Sequence, residues 1–153
     1  MREYTATLLT LLAGTGIAGC GGESADELLE AIADQEDRAV ALDCECFWEE
    51  DGYSSPAECR AEKLTPTALR QCEIDAVRPL VPIHRSYFTC VRDAQGATLE
   101  CVEAAACDES AVSTCLAMND VCPDSPCAGL TGDRFDECQI ALSRAMADID
   151  ACD

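Results

Sequence analysis

The chain has 153 residues, 30 acidic against 10 basic side chains, a formal net charge of −20 and 13 cysteines. A field of that sign repels nucleic acid and anionic headgroups, which excludes DNA or RNA as partners. The length suits one domain. Its apolar content rests on alanine and cysteine, small side chains that return little burial against backbone ordering, so crosslinks are needed to hold a fold.

In chain order, residues 1–19 come first, and they are built like an export signal. Arg2 opens the segment and Glu3 offsets its charge. Tyr4 to Ala18 is uncharged and holds Leu8, Leu9, Leu11, Leu12 and Ile17, a stretch shorter than the roughly 20 apolar residues of a membrane-spanning helix. Ile17-Ala18-Gly19-Cys20 closes it with two small residues directly before a cysteine. This tetrapeptide resembles the lipobox of bacterial lipoproteins. The resemblance implies that signal peptidase cuts before Cys20, that the Cys20 thiol receives a diacylglycerol, and that the new amino terminus is usually acylated. Residues 1–19 are then a lipoprotein signal peptide and residues 20–24 a short lipid-anchored tether. With each buried methylene worth about 0.8 kcal/mol, such an anchor is effectively permanent. Gly21 stands where an inner-membrane retention signal would have Asp, which favours the outer membrane over the inner.

Residues 25–153 read as helices. Ser24 with Glu27 three residues on forms a capping box. It predicts a helix from Ala25 to about Leu42, with Leu28, Leu29, Ile32, Ala39 and Val40 near one face. Acid, glycine and proline predict a loop from Glu49 to Thr65. Thr65-Pro66 predicts a helix start with proline at the first helical position, its stripe formed by Leu69, Cys72 and Ala76. Pro79 and Pro82 break or kink it. A further helix is expected from Ile83 to Ala94, with Ile83, Tyr87, Cys90, Val91 and Ala94 in phase and Gly96 as its stop. Asp108 splits two shorter helices, about 98–106 and 110–119. Cys122 to Cys127 is a turn, and a last helix runs from about Asp133 to Asp150. There Phe135, Cys138, Leu142, Ala145, Met146, Ile149 and Cys152 recur at three- and four-residue steps. Strand signals are poor. The expected fold class is mostly α: a small disulfide-rich helical domain of five to six short helices without substantial sheet.

Setting Cys20 aside leaves twelve cysteines: Cys44, Cys46, Cys59, Cys72, Cys90, Cys101, Cys107, Cys115, Cys122, Cys127, Cys138 and Cys152. An even remainder in an exported chain reads as six disulfides, with the pairing open. Cys72, Cys90, Cys115, Cys138 and Cys152 lie in phase with apolar seams, which suits helix-to-helix stapling. Cys44 and Cys46, two apart, point to different sides of a helix or the same side of a strand; in a helix they would staple two neighbours, and a redox-active C-x-C is the sharper alternative. Cys90 to Cys101 and Cys127 to Cys138 share a spacing, which suggests two similar helical hairpins. Asp148, Asp150 and Asp153 oppose the macrodipole at the last helix's C-terminus, and a disulfide at Cys152 would stop that end from fraying. Structural zinc is disfavoured, because no C-x-x-C pair occurs and His84 is the only histidine.

The most unusual local composition is Asp43 to Tyr53, which combines Asp43, Glu45, Glu49, Glu50 and Asp51 with Phe47, Trp48 and Tyr53. Aromatic platforms beside carboxylates bind sugars or cations; the favoured reading is that Phe47 and Trp48 plug a thin core while the acids face water. No EF-hand loop occurs, and acids at 49–51 and 148–153 would hold an ion only loosely. No catalytic motif appears around His84 or the serines, and no cofactor is implied. The whole pattern resembles the cysteine-rich lipoproteins of myxobacteria. The reading is an exported, lipid-anchored cell-envelope protein, a non-enzymatic structural or partner-binding module. Its membrane contact is the lipid on Cys20, and its field is compatible with a cationic or protein partner. The alternatives are an exported hydrolase using paired carboxylates and a divalent-cation-binding envelope protein.

Overall fold

Ser24 starts the first helix by satisfying orphan donors at its end. Its hydroxyl accepts the Glu27 N–H at 3.1 Å, and the Glu27 carboxylate accepts the Ser24 N–H at 2.6 Å, the reciprocal capping box. The computed structural model describes residues 23–117 and 122–152. The leader, Cys20, residues 118–121 and Asp153 lie outside the described residues.

Six α-helices follow in order, α1 (Ala25–Cys46), α2 (Pro56–Lys63), α3 (Thr67–Val77), α4 (Val81–Ala105), α5 (Glu109–Leu116) and α6 (Asp133–Asp150), with a 3₁₀ turn at Arg78–Leu80. Among the described residues there is no strand. The protein is thus a mostly helical, disulfide-rich fold.

Several boundaries differ from those expected, each for a local reason. α1 continues beyond Leu42 because nothing in Asp43–Cys46 opposes a helix. The expected loop over 49–65 contains α2. Its composition hides a complete start signal, with Ser55 Oγ accepting the Glu58 N–H at 3.2 Å and Pro56 opening the helix. Pro66 is the N-cap of α3 instead of its first helical residue.

Pro79 and Pro82 do not separate α3 from α4 by a break. Pro79 sits in the 3₁₀ turn, and Pro82 lies in the first turn of α4, where its missing N–H has no intrahelical partner to lose. Gly96 does not stop α4, which absorbs the helix expected at 98–106. A Cβ on Gly96 would meet the Gln35 amide nitrogen at 3.0 Å, so the glycine serves close approach of α1. α4 ends instead at Ala106 and Cys107, both left-handed at φ 47° and 67°. Asp108 then caps α5 by accepting the Ala111 N–H at 2.8 Å.

The apolar centre is Leu28, Leu29, Leu80, Val81, Phe88 and Ala145, joining α1, the 3₁₀ turn, α4 and α6. Tyr87 and Phe88 meet edge to face with centroids 5.3 Å apart. Three residues expected on seams are exposed: Ile83 at 71 %, Phe135 at 40 % and Met146 at 56 %. Ile83 precedes a kink at His84 that shifts the register of the face. On α6 the inward stripe is narrow, carried by Cys138, Ala141, Leu142 and Ala145.

Six disulfides brace this frame: Cys44–Cys59, Cys46–Cys107, Cys72–Cys152, Cys90–Cys122, Cys101–Cys115 and Cys127–Cys138. Cys44 and Cys46 lie on different sides of α1, one tied to α2 and the other to the end of α4. The two equal spacings have unrelated meanings, which corrects the hairpin expectation. Cys90 and Cys101 lie three turns apart on α4 and pair elsewhere, whereas Cys127 and Cys138 pair with each other.

Candidate functional site

The acidic, aromatic segment closes on a cation of its own chain. Lys63, at the end of α2, donates to Asp43 Oδ2 at 2.7 Å and to Asp51, and its nitrogen lies 5.7 Å from the Tyr53 ring centre. Those two hydrogen bonds, Asp43 first, push the Lys63 ammonium well above its ordinary range. Phe47 and Trp48 are half-buried, while Glu45, Glu49, Glu50 and Asp51 are exposed. Of the aromatic and carboxylate groups that composition offered to a ligand, Asp43, Asp51 and Tyr53 are thus taken up by Lys63.

Most basic side chains are used in the same way. Arg38 pairs with Glu103, Arg70 with Glu36 and Asp37, and Arg78 with Asp26. Arg92 binds the Glu23 carboxylate while Arg85 donates to the Glu23 carbonyl at 2.7 Å. Glu23 is therefore clamped to α4, three residues after Cys20.

Among the described residues no acid is buried; the buried polar groups are His84 and Thr98. The two carboxyls that shift clearly go down, Glu27 through hydrogen bonds from Ser24 and Glu58 through those from Ser54. No three His, Cys, Asp or Glu side chains among the described residues could share a metal ion. Within the same residues no helix is long and apolar enough to cross a membrane.

A cavity of about 210 Å³ lies between α1, α4 and α5. Leu42, Phe47, Leu99 and Val112 give it apolar walls, and Gln35 and Gln95 enter it from α1 and α4. The side-chain oxygens of both glutamines are buried without a hydrogen-bond partner. The residues at its edge that carry charge are Glu36 and Asp43; no lysine, arginine or histidine lines it. Glu36 and Asp43 are the carboxylates already paired with Arg70 and Lys63, so such a space can take a neutral apolar body that brings its own N–H or O–H donors.

Sequence reasoning named Asp43 and Phe47 as part of the acidic, aromatic segment but singled out neither glutamine. The available signal was Gln95-Gly96 inside a helix, where glycine lets the facing helix bring its own amide close. The structure places His84 elsewhere, in α4 against α6, and no cysteine outside the six pairs lies among the described residues. Comparison with protein-family models, with curated proteins and with solved structures yields no match.

Proposed function

We propose that this chain is a lipid-anchored protein of the bacterial cell envelope and that its helical body is a non-enzymatic binding module, the α1–α4–α5 cavity being its ligand site. The anchor reading rests on Ile17-Ala18-Gly19-Cys20. The clamp on Glu23 supports it, since three residues span at most about 10 Å and would hold the body close to the bilayer.

The observation that carries the binding reading is the pair of unpartnered oxygens, Gln35 Oε1 and Gln95 Oε1. Leaving a buried acceptor unmade costs about 1–3 kcal/mol. Both glutamines line the same apolar space, and a guest with donors would satisfy their shielded oxygens once the amides turn toward it. A cavity of about 150 Å³ accepts benzene, so 210 Å³ suits a small aryl alcohol or aryl amine. Glu36 and Asp43 at the rim are already ion-paired with Arg70 and Lys63, which leaves the site suited to a neutral guest.

Two experiments test the two halves. Radiolabelled palmitate should mark the wild-type protein and be lost in Cys20→Ala; label persisting in the variant overturns the anchor. In calorimetry, phenol and indole should bind more tightly than benzene, and Gln35→Leu with Gln95→Leu should erase that preference while benzene still binds. A protein that takes up neither probe, or that binds benzene as well as phenol, overturns the binding site.

A further inference from the structure

His84 is the residue inside α4 whose backbone leaves the helical region, at φ −120° and ψ 31°. It is also the only histidine of the chain. At this kink the imidazole is buried, and its Nε2 lies 3.3 Å from Cys138 Sγ. Cys138 is disulfide-bonded to Cys127. A disulfide sulfur is a weak acceptor and gives the imidazole little. A thiolate at the same place would be stabilised strongly by a protonated imidazole. The contact therefore favours the reduced state of this bond over the oxidised one.

The surroundings supply access. A cavity of about 340 Å³ separates the start of α4 from the turn before α6, and both His84 and Cys138 line it. Cys127 does not line it and is 1 % exposed. Arg134 and Glu137 are the other ionisable groups on its wall, together with Tyr87.

The fold also tolerates opening of this bond. Cys127–Cys138 closes the shortest loop of the six, a separation of 11 residues, so it restrains the unfolded chain least. Without it, α6 remains tied to α3 by Cys72–Cys152, and the turn remains tied to α4 by Cys90–Cys122.

We propose that Cys127–Cys138 is a thiol–disulfide exchange site whose partner is a dithiol, with His84 holding Cys138 in its thiolate form. One thiolate of the dithiol enters the cavity and bonds to Cys138 Sγ. The Cys127–Cys138 bond breaks, and Cys127 leaves with the electron pair and takes up a proton. The second thiolate of the partner then attacks the partner's own bonded sulfur, closing a disulfide there. Cys138 leaves as a thiolate beside His84, whose imidazole takes up the second proton released by the partner. The partner loses two electrons and two protons, and the protein gains both. The reverse sequence re-forms the bond at the expense of a partner disulfide. Opening releases the 122–132 turn from α6 while the rest of the frame stays crosslinked.

The test uses the full oxidised protein without denaturant, equilibrated with graded ratios of reduced to oxidised dithiothreitol. Acid quenching, alkylation and peptide mapping then report each cysteine. Cys127 and Cys138 should become alkylated together at a ratio at least tenfold lower than that opening any other pair. In His84→Phe and His84→Gln the ratio for half-opening of this pair should rise by tenfold or more, with the other five pairs unmoved. Wild-type opening of another pair first overturns the proposal, whatever the variants do. An unchanged midpoint in either folded variant overturns the role of His84.

Discussion

Removing the Cys72–Cys152 staple tests whether crosslinks stabilise this fold through the unfolded chain. The bond closes a loop of 80 residues between α3 and the end of α6, which in the chain-entropy relation corresponds to about 4.5 kcal/mol. Three other disulfides, Cys90–Cys122, Cys101–Cys115 nested within it, and Cys127–Cys138, lie inside that loop and shorten the free path to roughly half. The closure term falls accordingly to about 4 kcal/mol. By the same relation the 11-residue loop of Cys127–Cys138 is worth about 3 kcal/mol. Both members of the Cys72–Cys152 pair are half-buried, so Cys72→Ala with Cys152→Ala leaves no buried polar group behind. Urea unfolding of the Cys72 and Cys152 double-alanine variant should therefore show a loss of about 4 kcal/mol, whereas the corresponding Cys127 and Cys138 variant adds the lost burial of both sulfurs to its loop term. Free energies are compared instead of midpoints, because a looser unfolded chain raises the slope m. A loss of under about 2 kcal/mol for Cys72 and Cys152 would refute the entropic account. Amide exchange should also quicken over the last turn of α6, where Asp148 and Asp150 oppose the macrodipole.

Asp108→Ala should cost about 1 kcal/mol by removing the α5 cap, read as a shifted urea midpoint with unchanged m. The Glu27 carboxyl is held below its usual range by the Ser24 N–H and hydroxyl. Its contribution is thus present above the unfolded carboxyl value of about 4.3 and is lost as pH falls through the lower folded value. Glu27→Ala should narrow the stability gap between pH 7 and pH 3; an unchanged gap counts against the capping box. Lys63→Met should free the Tyr53 N–H, which bonds the Trp48 carbonyl at 2.9 Å, for faster hydrogen exchange while the global midpoint holds. Gly96→Ala should gain up to about 1 kcal/mol of helix propensity, since the atom a Cβ meets is the mobile end of Gln35. The same change should weaken phenol binding, because the displaced amide carries one of the two acceptors.

What could be read from the chain before the structure was what depends on neighbours three and four residues away. The capping box at Ser24 and Glu27, the start of α1, and both ends of α6 are local in this sense. The side-to-side placement of Cys44 and Cys46 follows from helical pitch once α1 is extended through them. α2 escaped because acid, glycine and proline were weighed as composition, although Ser55-Pro56 with Glu58 is an ordered start signal. Gly96 misled because the reason for it lies 61 residues away, in the approach of Gln35. The cavity was not legible for the same reason: Gln35 and Gln95 look like solvent-facing glutamines until two helices close over them. The contact of His84 with Cys138 depends on a backbone kink that no periodicity encodes.

The cavity and the crosslinks explain each other. A partly open, mostly apolar pocket of about 210 Å³ would cost at most about 5 kcal/mol were it sealed, at ~24 cal/mol per Å³, and a helical fold with a thin core would ordinarily relax to fill it. Collapse here requires α1, α4 and α5 to slide together. Cys46–Cys107 fixes the end of α1 to the end of α4, and Cys101–Cys115 fixes α4 to α5. Each disulfide contributes about 2–4 kcal/mol, so these two together offset the void they frame. The consequence for binding is a site whose walls are already ordered before a guest arrives, which lowers the ordering entropy that association must overcome. The Cys127–Cys138 bond frames no part of that cavity. Thiol exchange at His84 and ligand capture between α1, α4 and α5 can therefore operate on one frame without either undoing the other.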